Sequence, residues 1–187
     1  MPLTKIQSLG ITDGTIVNAD INASAAIAGT KLGAGAVLQV VSTTKTDTFT
    51  TSSASMTDVT GLSVSISPSS ASNKILIVLS LTIAGQDSVS GAGYQLVRDS
   101  TAICIGDTAG DRSRISGGIA YIGNTNVYTT ISGSFLDSPA TTSATTYKVQ
   151  VGKGLNVYIN RTEGNVDGSE IFRARTASTI TVMEIKG

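Results

Sequence analysis

Residues 74–84 read KILIVLSLTIA, and the rest of the chain is organised around this run. Ile75, Ile77, Leu79, Leu81 and Ile83 occupy every second position, so in a strand they share one face. The opposite face begins apolar at Leu76 and Val78 and turns small or polar at Ser80, Thr82 and Ala84. No charge follows Lys74, and aliphatic and β-branched residues predominate, which favours strand over helix. Ser67, Pro68, Ser69 and Ser70 punctuate the entry, and Gly85 marks the exit. Left on an open edge, such a strand invites aggregation. The pattern therefore predicts a central strand, covered on one face by a second sheet.

Short strands with turn signals between them fill the chain from Val37 onward. Residues 37–43 come first, then 46–51 around Phe49. Leu62, Val64 and Ile66 alternate with serines, the signature of a half-buried strand. Residues 94–98 and 102–106 flank Asp99-Ser100 and predict a hairpin. A weaker strand covers 118–122, and 127–136 alternates through Val127, Thr129, Ile131, Gly133 and Phe135. Asp137, ahead of Ser138-Pro139, reads as a turn former. Tyr147, Val149 and Val151 alternate, as do Leu155, Val157 and Ile159, with Gly152-Lys153-Gly154 predicted to join them as a second hairpin. Residues 180–185 form the closing strand, with Ile180 and Val182 on one face and Met183 and Ile185 on the other. Gly133 and Gly152 fall inside strand patterns and predict bulges or close backbone packing. No amphipathic helix interrupts this part. The expected fold is all-β, an antiparallel β-sandwich, jelly-roll-like.

Residues 1–36 break the pattern. Ile11, Ile16 and Ile21 recur every five residues, and Ile27 and Leu32 continue at slightly longer spacing. Neither the helical nor the strand period gives this repeat. Asn22 or Ser24 caps at most one short helix through Ala23, Ala25, Ala26 and Ile27. Gly33-Ala34-Gly35-Ala36 reads as a small-residue linker. The expected organisation is an extended N-terminal arm with its linker, residues 1–36, and a β-sandwich domain, residues 37–187. The arm is too thin in large apolar groups to bury a core alone. Its isoleucines need a partner surface, and Ile11, Ile16, Ile21, Ile27 and Leu32 are the candidate attachment residues.

Composition narrows the chemistry. Charged residues make up 14% of the 187 positions, and thirteen basic residues balance thirteen acidic ones. No net field recruits nucleic acid or an anionic membrane. A weakly charged surface with positive mean hydropathy is a risk for a free monomer and points to cover by other subunits. Histidine is absent, which removes the commonest general base and metal ligand. Cys104 is the one cysteine, so no intrachain disulfide forms, and its place in an alternating run reads as small and buried. The N-terminal MPLTKIQSLG lacks an apolar run behind a basic start, and no secretory signal is expected. No segment has the roughly 18–20 consecutive apolar residues of a membrane helix, so no membrane insertion is expected.

Candidate chemistry is sparse. Asp107, Asp111, Arg112 and Arg114 cluster around Gly110 and are the candidate host-surface contacts, against the plainer reading of solvated loop charge. Asn165, Asp167 and Glu170 superficially resemble a calcium loop without its spacing or its helix pair. Arg161, Arg173 and Arg175 are basic, but Glu163, Asp167 and Glu170 intervene, which weighs against nucleic acid. Five Tyr, three Phe and no Trp give no aromatic-lined glycan cleft. No phosphate-loop spacing and no Ser/His/Asp set occur. No catalytic residue, cofactor or metal is expected.

The stretch GITDGTIVNADINASAAIAGTKL resembles a short repeat near the N-termini of tailed-bacteriophage tail-fibre and other virion proteins. The matching positions are Asp13, Gly14, Thr15, Ile16, Ala19, Asp20, Ile21, Ala25, Ala26, Ile27, Thr30, Lys31 and Leu32. The segments VTGLSVSISPSSASNKILIVLSL, LVRDSTAICIGD, SFLDSPATTSATTYKVQV and ARTASTITVMEI resemble the C-terminal domains of such proteins. The resemblance implies a homotrimer with a jelly-roll-like head, located in the virion after assembly in the host cytoplasm. It implies a non-enzymatic structural protein, a short tail-fibre or adhesin-type component. Its arm docks onto other virion proteins of the tail, neck or capsid, and its β-domain meets a host glycan or protein. A capsid decoration, cement or head-fibre protein is the alternative, and a glycan-processing spike a distant second. The chain has one N-terminal repeat unit and no long shaft, which departs from a long fibre.

Overall fold

The computed structural model describes residues 20–22, 24, 25, 27, 31–86, 91–120, 124–152 and 156–187. The chain divides into two units, Met1–Gly33 and Ala34–Gly187. In the first, Ile11 and Ile16 lie outside the described residues, while Ile21, Ile27 and Leu32 are exposed. The Asn22 carboxamide oxygen accepts the Ser24 backbone N–H at 2.7 Å, a local turn.

The second unit is almost all β. Its strands are β1 Val37–Lys45, β2 Phe49–Thr51, β3 Thr57–Ile66, β4 Lys74–Gly85, β5 Ala92–Arg98, β6 Thr101–Ile103, β7 Gly117–Ile119, β8 Thr129–Asp137, β9 Thr145–Gly152, β10 Val157–Ile159 and β11 Ser178–Ile185. All pairings are antiparallel. In the first sheet β4 has β8 along one edge and β11 along the other, and β1 lies beyond β11. β10 continues the row of β11 beside Ile83 to Gly85, and β2 continues the row of β1. The second sheet runs β3-β9-β5, with β6 and β7 sharing the far edge of β5. The chain therefore passes back and forth between two sheets of four rows, ordered β1-β11-β4-β8 and β3-β9-β5-β6. That is the strand order of a jelly roll.

The inward parity of the central run builds the core. Ile75, Ile77, Leu79, Leu81 and Ile83 are each 1% exposed or less, and they pack with Leu62, Tyr147, Val149, Val151, Ile180 and Val182. Each such aliphatic side chain contributes about 1.5–3 kcal/mol on burial. Gly152 sits inside this packing at φ +155°, and a Cβ there would stand 2.6 Å from the Ser55 carbonyl oxygen. Only a residue without a side chain permits that approach. At Gly133 a Cβ would stand 3.5 Å from the Tyr94 hydroxyl, ordinary contact, so packing does not demand a glycine there.

Four sequence expectations change. Gly152-Lys153-Gly154 does not join a hairpin, because β9 lies in the second sheet and β10 in the first. Cys104 is exposed: the strand stops at Ile103, and Cys104 takes φ +53°, which ends the alternation. Half of the linker expected over residues 33–36 is tied to the β unit, which begins at Ala34. The Gly35 N–H donates to the Lys186 carbonyl at 2.8 Å, and the Lys186 N–H donates to that of Ala36 at 2.9 Å. Asp137 is a buried strand residue rather than a turn former. Both its oxygens accept from Arg98 Nη1 at 2.8 Å, and Oδ2 accepts the Tyr147 hydroxyl at 2.7 Å. Arg98 and Tyr147 belong to one sheet and Asp137 to the other, so this trio is a polar clasp across the sandwich. Burial pushes the Tyr147 phenol far above its usual range, and the bond to Asp137 reinforces the shift, so the hydroxyl stays a donor.

Candidate functional site

The closing row of the first sheet is broken between β10 and β11, and residues 160–177 leave the sheet there. The exit is fixed by Asn160, fully buried at φ +61°, a left-handed conformation that asparagine tolerates better than most residues. Its Nδ2 donates to the carbonyls of Lys45 and Asp47 at 2.9 and 3.0 Å, and its Oδ1 accepts the Ser178 hydroxyl at 2.7 Å. Ser178 Oγ in turn accepts the Thr82 N–H at 3.0 Å. Both ends of the excursion are thus tied to one buried polar cluster.

The excursion encloses a cavity of about 300 Å³ lined by Arg161, Thr162, Asn165, Val166, Asp167, Gly168, Arg173, Ala174 and Arg175. Arg161 lies over the Tyr158 ring at 4.5 Å and donates to Thr50 Oγ1 at 2.9 Å. Burial lowers the Arg161 pKa; the nearby Arg175 charge acts in the same direction, and Tyr158 opposes it. Arg175 donates to Asn165 Oδ1. Arg173 pairs loosely with Glu170 at 3.5 Å, and its Nε is buried without a hydrogen-bond partner. Gly168 makes room for Arg173, since a Cβ there would meet its Nη1 at 2.5 Å. A one-turn 3₁₀ helix, Ile171–Arg173, forms part of the rim, with Ile171 81% exposed and Phe172 and Val166 also exposed.

The expected surface contacts lie elsewhere. Asp107, Asp111, Arg112 and Arg114 are all exposed in the connection between β6 and β7, and none lines the cavity. Arg114 Nε donates to the Gly106 carbonyl at 2.7 Å, which fastens the loop to itself. Among the described residues none of the ion pairs joins these acids to these arginines. All four lie on this one exposed loop.

A third feature is the outer face of the first sheet. One rung runs Val40, Met183, Leu76 and Leu136 across four adjacent strands. Val40 is 55% and Leu136 47% exposed. Val37 and Val78 extend this apolar patch; the rung on one side carries serine and threonine around Val78, and the rung on the other runs Val37, Ile185 and Lys74.

No known family model matches this chain, and no curated protein matches it either. Sequence reasoning weighed the arginines of residues 161–175 only against the acids between them. Their convergence depends on how the excursion folds, and the sequence carries no signal of it beyond three arginines in one loop. Three guanidiniums and one carboxylate line the cavity, and with Glu170 paired to Arg173 beside it the cations still outnumber the acids, which favours an anion over calcium. Among the described residues no group of three or more acidic, His or Cys side chains is placed to hold a metal ion.

Proposed function

We propose that the chain is a non-enzymatic structural subunit of a phage virion, a short trimeric fibre or adhesin-type component. Residues 1–33 attach it to the particle, and the jelly roll faces outward to a host surface. The observation that carries this reading is the apolar rung Val40, Met183, Leu76, Leu136 on the outer face of the first sheet. A sheet face with a continuous apolar rung calls for cover. Copies of the same chain are the cover that fits, since a formal net charge of zero raises no field between them. The resemblance of residues 10–32 to virion-protein repeats supports the assignment of the first unit to attachment. Jelly rolls occur in capsid and lectin domains alike, so the fold is compatible with the role without specifying it.

Two measurements test the reading. Light scattering on the full chain should return a trimer at micromolar concentration, and a stable monomer there refutes the assembly. Antibody labelling of intact particles in the electron microscope should decorate tail or neck. Labelling spread over the capsid lattice favours a decoration protein instead, and particles without label remove the virion reading.

A further inference from the structure

Residues 160–177 carry three arginines and three acids, Arg161, Arg173 and Arg175 against Glu163, Asp167 and Glu170. Folding sorts them unequally. All three arginines line the cavity; of the acids Asp167 alone does, with Glu170 held beside it by a 3.5 Å pair to Arg173. Gathering like charges is unfavourable until an anion offsets it. Arg173 brings a donor that nothing else uses, because its Nε is buried without an acceptor. An unpaired buried donor is unfavourable in the empty state and favourable once an acceptor arrives. Guanidinium forks suit planar carboxylates and tetrahedral oxyanions alike.

Size and lining narrow the ligand further. The cavity of about 300 Å³ stands at the lower end of small-molecule sites, and it is roughly ten times the volume of one liquid water. A lone oxyanion would leave most of it empty. Thr162 and Asn165 add neutral hydrogen-bonding groups, and Val166 adds an apolar contact. An anion clamp beside neutral polar groups, in the space of one ring, matches a charged sugar.

We propose that this cavity binds a single sugar unit bearing a carboxylate or sulfate group, with Arg173 and Arg175 as the anion clamp. The proposal rests on the outward-facing reading for the glycan to which such a sugar belongs. Its test is separate. The full chain is titrated calorimetrically, at low ionic strength, with glucuronate, glucose 6-sulfate, glucose and inorganic sulfate, each to about 5 mM, enough to fill most of a site with Kd about 1 mM. At least one charged sugar should bind, more weakly as salt is added, and which one binds identifies the anionic group. The double variant Arg173→Gln/Arg175→Gln, with an unchanged circular dichroism spectrum, should bind it at least about tenfold more weakly, the effect of losing one or two charge-assisted hydrogen bonds. Arg161 is left in place because it also holds Thr50 and Tyr158. The absence of binding by either charged sugar overturns the proposal. So does glucose or inorganic sulfate binding as tightly, or a double variant that binds like the parent. Particle labelling without sugar binding removes the cavity proposal alone, and sugar binding by a chain absent from particles removes the virion reading alone.

Discussion

Glu184 shows what a single residue costs and contributes here. It lies 1% exposed in β11, on the same inward parity as Ile180 and Val182. Its carboxylate accepts from Gln39 Nε2 at 2.7 Å, from the Ser69 N–H and hydroxyl at 2.6 and 2.7 Å, and from the Asn73 carboxamide. Burial alone raises its pKa, but these bonds from Asn73, Gln39 and Ser69 outweigh it, and the net shift is downward from 4.5. The sign follows from linkage. A depressed folded pKa gives stability that is fully present above the ordinary value and is lost as pH falls through the folded one. Glu184→Gln should therefore melt lower at pH 7, because its amide N–H₂ faces donors, at a cost of about 1–3 kcal/mol. Its melting temperature should also fall less than the parent's between neutral and acid pH. An equal acid loss in both proteins would place the sensitive group elsewhere. The clasp across the sheets behaves alike at this scale. Arg98→Ala leaves the Asp137 carboxylate buried with Tyr147 alone, and about 3 kcal/mol of stability should be lost in denaturant titration. The Arg98 side chain is 27% exposed, which keeps the loss at the low end for a buried pair.

Elements were legible in this sequence where one face of a strand is buried and the other is not. Alternation then writes the core directly into the chain, as at Ile75 to Ile83 and at Tyr147 to Val151. It fails where the backbone leaves the sheet. Cys104 continues the sequence pattern of β6, yet its left-handed φ stops the strand. Gly152-Lys153-Gly154 has the composition of a hairpin turn, but composition does not say whether the next strand joins the same sheet. The inward polar residue Glu184 interrupts the apolar parity of Ile180 and Val182 in the sequence, and that interruption is the trace by which such a buried hub can be found, whereas Asn160 lies off the parity of Val157 and Ile159 and leaves no such trace. The arginine cavity left none, since its residues converge through an irregular excursion. Asn160 gives the element-scale test. Asn160→Gly keeps the left-handed backbone accessible and removes the bonds to Lys45, Asp47 and Ser178. Asn160→Ala removes the same bonds and adds strain at positive φ of about 1–2 kcal/mol. Chemical denaturation should rank parent above Gly above Ala. At an ordinary strand or helix position Ala would be the better of the two. Ala equal to or better than Gly would show that the excursion relaxes around its exit.

At the scale of the whole molecule, the β unit and the assembly separate as two questions. The β unit should fold alone, and its natural start is Ala34 rather than Val37, because Gly35 and Ala36 pair with Lys186 at the end of the closing strand. A chain beginning at Ala34 should keep the full β-sheet dichroism and a melting temperature within a few degrees of the parent, yet fail to join particles. Loss of the sheet signal would mean that the first unit completes the core. Assembly has a different determinant in the outer rung of the first sheet. Leu136 is 47% exposed, and Met183, although partly buried, shares its rung on the outer face and not the core parity of Ile180 and Val182, so Leu136→Lys/Met183→Lys leaves the inter-sheet core intact. Within a trimer the same two positions are desolvated, and an unpaired charge there costs several kcal/mol per subunit. Scattering should then report a folded monomer for the lysine variant and a trimer for the parent. The Ala34 chain sharpens the comparison, since it retains the rung and lacks the first unit. If the rung holds the subunits together, that chain stays trimeric. If it is monomeric and the lysine variant of the full chain stays trimeric, assembly belongs to residues 1–33 and their regularly spaced isoleucines. The apolar rung would then be left for a different partner on the particle.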